Sequence, residues 1–165
     1  MTRKCFYSFH YTPDNWRVSQ VRNIGSLEDN KPATDNEWEE VEGGGEKAIQ
    51  DWIQGQLKGR SCAVILAGEN TAGRKWINYE ISEAWNKGMG VLVVYINNLK
   101  NADEDQSLKG NNPLDYVTIP GGDAKLSTVA KDYDPPYLTS KYVYDYIAKN
   151  LEDWVEDAIE IRKNY

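Results

Sequence analysis

Two cysteines, one histidine and two phenylalanines are all that the 165 residues hold of those types. Each scarcity excludes something. Cys5 and Cys62 do not make a disulfide framework; both fall in apolar segments where a thiol behaves as a small hydrophobe. A reducing, cytoplasmic compartment is the expectation. With a single imidazole, His10, there is no zinc-ligand spacing. No apolar run approaches the roughly 20 residues of a membrane-spanning helix, and Arg3 and Lys4 lead into a stretch too short and polar for a secretory signal. Positive charge is also short, with 19 Lys and Arg against 26 Asp and Glu, a net of −7. That balance argues against non-specific binding to nucleic acid or anionic membranes, although a few local donors still suffice to hold a nucleotide phosphate. Internal repeats and low-complexity tracts are lacking too.

What is present is alternation of strand and helix. Residues 4–9, 61–67 and 90–96 read as strands, and the last two are apolar without a break, as strands covered on both faces should be. Helical spacing of apolar residues predicts helices over 14–24, 45–58, 74–87 and 140–162, with Asp14 and Ser140 as N-caps and Gly25 and Gly88 as stops. Residues 26–42 are acidic and weakly patterned, with room for a short second strand that the pattern does not place. A polar insert spans about 97–136, in which 114–119 reads as a short edge strand. The fold class expected is α/β: a single flavodoxin-like domain over 1–165, a three-layer sandwich with a central parallel sheet and helices on both faces. The adjoining inner strands would be 4–9, 61–67 and 90–96.

The most informative stretch runs from Ser61 to Trp85. A buried strand, Cys62 to Ala67, meets a turn marked by Gly68, Asn70 and Gly73, and a helix then presents Trp76, Ile77, Ile81, Ala84 and Trp85 at apolar spacing. Glu80 stands four residues after Trp76, so carboxylate and indole project from neighbouring turns. Such a group at a strand's carboxyl end suits a ligand site; solvent exposure is the ordinary fate of an acid on a helix. Several chemistries fit poorly. Ser8 and His10 share a strand face but have no acid partner in a nucleophile elbow. The ends of the first and third strands lack the aspartates of a phosphoacceptor site, and Tyr11-Thr12-Pro13-Asp14 is a weak flavin-phosphate loop. Gly43-Gly44-Gly45 matches neither a P-loop nor a dinucleotide fingerprint and reads as a hinge.

Four stretches together resemble a known family. They are Phe6 to Tyr11 with Trp16-Arg17-Val18 and Val21-Arg22-Asn23 behind it; Cys62 to Gly68; Arg74 to Ile81; and Tyr95-Ile96-Asn97-Asn98 leading to Lys109-Gly110-Asn111-Asn112-Pro113-Leu114-Asp115-Tyr116. In this they are similar to the bacterial TIR-like branch of the Toll/interleukin-1 receptor fold, and to the signal-producing TIR-like proteins of Thoeris antiphage defence.

The resemblance implies an NAD-cleaving enzyme, an NAD nucleosidase or ADP-ribosyl cyclase. It would release nicotinamide and make an ADP-ribose-derived, cyclic signal that activates a partner effector. Glu80 maps onto the catalytic position. Phe6, Ser8 and His10 would line the pocket from the first strand, and Trp76 would form its aromatic wall. Arg17 or Arg22 would meet a phosphate, or each would pair with the acidic segment 28–42. NAD is the substrate; no metal or further cofactor is implied. TIR-like pockets are commonly completed by a neighbouring subunit, so self-association is expected, with the 43–45 turn as a mobile gate. The competing readings are a non-enzymatic interaction module and a domain that senses nucleotides without cleaving them.

Overall fold

The computed structural model of the chain describes residues 2–28 and 40–165. Four parallel strands, β1 (Cys5–Ser8), β2 (Cys62–Ala67), β3 (Gly90–Tyr95) and β4 (Asp132–Tyr133), lie side by side in that order. Helices α1 (Tyr11–Arg22), α2 (Gly45–Leu57), α3 (Lys75–Asn86) and α4 (Ser140–Lys163) enclose the sheet.

Alternation along the strands sorts the side chains into two cores. Phe6, Ala63, Ile65, Val91 and Val93 face α2 and α3, meeting Ile49, Ile53, Ile77 and Ile81. Cys5, Tyr7, Val64, Leu66 and Leu92 face α1 and α4, meeting Val18, Val21, Val143, Ile147 and Leu151. Every residue of β2 and β3 is buried, which accounts for their unbroken apolar sequences. Each fully buried Ile or Leu contributes about 1.5–3 kcal/mol, so these two layers drive the fold. Cys5 and Cys62 are register partners across β1 and β2, both buried and both free thiols. This is the flavodoxin-like, TIR-like α/β architecture, with β2 inside the sheet.

β1 borders the described sheet rather than sitting within it. A single parallel bridge, Lys4 to Glu28, lies on its outer side, secured by Cys5 N–H to Glu28 O (2.7 Å) and Glu28 N–H to Arg3 O (2.9 Å). The chain therefore leaves β1 for its outer flank and returns to β2 on the other. That reversal sets a switch point at the carboxyl ends of β1 and β2. Most of 26–42, where a short second strand was expected, lies outside the described residues.

Three local expectations are corrected. α1 begins at Tyr11 with His10 as N-cap, and Asp14 is a buried residue inside the helix. Pro13 is tolerated there because first-turn amides have no intrahelical acceptor. Thr139, not Ser140, is the N-cap of α4; the Ser140 hydroxyl instead accepts from Lys100 N–H (3.0 Å). Residues 114–119 form no strand. Pro113–Tyr116 is a 3-10 turn whose Asn112 side chain accepts from Leu114 N–H, and only Thr118 makes an isolated antiparallel bridge, to Lys125. The edge strand is instead the two-residue β4.

Candidate active site

A cavity of about 860 Å³ opens at the switch point, walled by the residues after β1, the β2–α3 turn, the start of α3 and one face of α2. The volume is in the range of small-ligand sites. α3 places Glu80 and Trp76 one turn apart on the cavity side while Ile77, Ile81, Ala84 and Trp85 bury into the sheet. Trp76 is held edge-on by Tyr79, with ring centroids 5.6 Å apart, and carries the Lys75 ammonium 5.0 Å from its own ring centre. Phe6, 2% exposed, and His10 enter from the β1 side.

Glu80 is part-buried yet surrounded closely enough by protein that desolvation pushes its carboxyl up to about 8. The Ser8 hydroxyl pulls partly the other way. It is buried beside the carboxyl and, among the described residues, makes no hydrogen bond of ordinary geometry. His10 is shifted in the opposite sense: burial, then the Arg74 charge, lower its pKa, so the imidazole is neutral near pH 7. Its Nδ1 is buried without a hydrogen-bond partner among the described residues. The cavity is thus lined by a carboxylic acid close to its titration point and by a neutral imidazole.

The raised value has a stability consequence. A carboxyl whose folded pKa lies above its unfolded value costs nothing when both states are protonated; the cost grows as pH climbs from the unfolded value to the folded one and is constant above it. Because Glu80 also reaches solvent through the cavity, the full cost is at most a few kcal/mol. Melting temperatures of wild type and Glu80→Gln should therefore lie close at about pH 5 and separate by about pH 9, the variant being the more stable. Parallel curves across that range would mean that Glu80 titrates as an ordinary surface acid.

Of the residues expected to bind substrate, Phe6, His10 and Trp76 line the cavity together with Glu80, and Ser8 sits behind the carboxyl. Arg17 is not brought there. It is 3% exposed and directed away, donating to Asp14 Oδ1 (2.9 Å), Leu99 O (2.7 Å) and Asp105 O (2.9 Å). Arg22 lines the cavity instead, its guanidinium 5.5 Å from the Tyr7 ring centre and 5.7 Å from that of Phe9. The sequence reading did not select Arg74, Lys75, Glu69 or Asn111 as site residues, and all four line the cavity. Arg74 and Lys75 had a legible signal, two adjacent cations at a helix start after a glycine turn. Lys75 also reaches Glu46 at the start of α2, joining the two helices that flank the opening.

A pocket at the switch point of a flavodoxin-like sheet, with an acid and an indole on the helix after the second described strand, defines a TIR-like domain. The family described as "Thoeris protein ThsB, TIR-like domain" matches residues 6–101, more than half of the chain, which belongs to that family. "Putative cyclic ADP-D-ribose synthase ThsB1" of Bacillus cereus (strain MSX-D12) is 32% identical over 122 residues, covering 71% of this chain and 64% of that protein. The chain thus spans just under two thirds of the length of this relative. Among the described residues, no helix is long and apolar enough to cross a membrane.

Proposed function

We propose that this protein cleaves the nicotinamide–ribose bond of NAD and converts the ADP-ribosyl part into a cyclic signal nucleotide. The observation that carries the reading is Glu80, a desolvated carboxyl standing one helical turn from Trp76 in a cavity of about 860 Å³. Cleavage breaks the bond between ribose C1′ and the pyridinium nitrogen. The bonding pair leaves with nicotinamide, which becomes neutral, and positive charge passes to the ribosyl ring. A fixed carboxylate beside that ring stabilises the charge as it develops. In the free protein near neutral pH, burial favours the protonated form of Glu80; a bound pyridinium would shift it toward the carboxylate. Capture of C1′ by an adenine nitrogen of the same molecule, with loss of one proton to solvent, closes a cyclic product. The name of the Bacillus cereus relative supports this outcome over plain hydrolysis.

Trp76 would stack on a flat ring, and Arg22, Arg74 and Lys75 place positive charge around the cavity for the pyrophosphate. The chemistry calls for no metal or further cofactor, because nicotinamide leaves as a stable neutral molecule. The diffusible product would act on a separate effector, and two free buried thiols suit a cytoplasmic setting.

Self-association would complete the opening between α2 and α3, where the Lys75–Glu46 pair is solvent-exposed on both sides. Incubation with NAD should release nicotinamide, with specific activity falling over a hundredfold dilution as assemblies part. Flat specific activity would remove the assembly requirement. No nicotinamide from concentrated, folded protein would remove the cleavage reading.

A further inference from the structure

The stretch from Leu108 to Tyr116 is packed onto the turn that leads into α3, and each of its fixed points has a visible cause. Leu108 N–H donates to Glu69 Oε1 (2.9 Å). Lys109 lies over the Tyr95 ring, 4.5 Å from its centre, and pairs with Asp134 at 3.1 Å. Gly110 comes so near the end of β2 that a Cβ there would stand 2.6 Å from Gly68 O and 2.5 Å from Glu69 O, closer than any side chain permits. Asn112 caps the following 3-10 turn, and Leu114 is fully buried. The Tyr116 ring lies over Gly73, where a Cβ would be 3.1 Å from it and where φ is +81°, a conformation that favours glycine. Asn111 differs from these neighbours: it lines the cavity.

Asn111 is held by one contact. Its Nδ2 donates to the Tyr116 hydroxyl at 3.0 Å, which orients the amide. The residue is exposed, and no hydrogen bond to its Oδ1 is found among the described residues, leaving an acceptor open at the rim of the wall that also carries Glu69 and Gly73. An amide carbonyl so placed selects a donor, and on a flat ring the donor it fits is an NH₂ group lying in the ring plane.

Resting on the NAD-cleaving reading above, we infer that Asn111 is a specificity-determining residue that accepts a hydrogen bond from a planar NH₂ group of the dinucleotide, with Tyr116 as its positioning residue. Two groups share that chemistry, the carboxamide of nicotinamide and the 6-amino group of adenine. The insert thereby has a function: it brings one side chain to the cavity and clamps the turn before α3 against which that side chain is read.

The test is binding to Glu80→Gln protein, so that cleavage does not consume the ligands. Dissociation constants are measured for NAD, for the hypoxanthine dinucleotide (adenine NH₂ replaced by a carbonyl) and for the 3-acetylpyridine dinucleotide (carboxamide NH₂ replaced by methyl). With Asn111 present, one analogue should bind roughly five- to tenfold more weakly than NAD, and it identifies the group that is read. Adding Asn111→Ala should bring that ratio close to one. Tyr116→Phe keeps the ring on Gly73 while releasing the amide, so it should lose part of the same ratio. Equal binding of all three ligands with Asn111 present, or a ratio that Asn111→Ala leaves intact, would overturn the inference and leave NAD cleavage standing. Failure of every dinucleotide to bind would overturn both.

Discussion

Glu80→Gln should lower nicotinamide release from NAD by roughly two to three orders of magnitude, the usual cost of removing one preorganised electrostatic group. Glutamine keeps the size of the side chain and its contact with Ser8, so the loss isolates the charge. Because the ground state carries no developing ribosyl charge, NAD affinity should change far less than turnover. The pH profile adds a second signature. If the carboxylate is the working form, kcat/KM for wild type should rise with pH toward an apparent pKa near the free protein's value of about 8. Burial of the carboxyl makes the variant the more stable protein, by a margin that grows as pH rises toward about 8. Full activity in folded Glu80→Gln would remove the residue from the mechanism.

The second large effect concerns stability. Arg17→Ala should cost about 3–5 kcal/mol, because it leaves Asp14 buried without its counter-charge. Asp14 is 2% exposed, burial already raises its pKa against the pull of Arg17, and its Oδ2 has no partner among the described residues. Gly68 is the reason the carboxylate fits: a Cβ there would lie 2.1 Å from Asp14 Oδ2. Arg17 also joins α1 to the insert through the carbonyls of Leu99 and Asp105, so its removal frees both helix and loop. At roughly 2–4 °C per kcal/mol for a chain of this size, melting should fall by about 6–20 °C. Breaking the exposed Lys75–Glu46 pair with Lys75→Ala should cost less than about 1 kcal/mol. If Arg17→Ala melts like Lys75→Ala, the buried pair does not hold the insert in place.

These residues also show where sequence was and was not informative. β2 and β3 were legible because burial on both faces leaves continuous apolar runs, and α3 because its sheet-facing residues recur at helical spacing. The pairing of Glu80 with Trp76 followed from the same spacing. Arg17 was misplaced because two of its partners are backbone carbonyls 82 and 88 residues away, and a carbonyl has no residue-type signature. β4 has only two residues, too few to show a period. The turn at Pro113–Tyr116 did carry a signal, Asn112 before Pro113 at a helix start, but the β-branched residues that follow suggested a strand. The titration of Glu80 was not legible, since it depends on how far the packing of α3 against the sheet removes that side chain from water.

The most direct test is an isotope-edited NMR titration of the Glu80 carboxyl, alone and with carba-NAD, whose nicotinamide linkage does not hydrolyse. The carboxyl should titrate near 8 in the free protein and clearly lower when the pyridinium ring is bound beside it. A carboxyl that titrates near 4.5, the ordinary glutamate value, and ignores saturating ligand would contradict it.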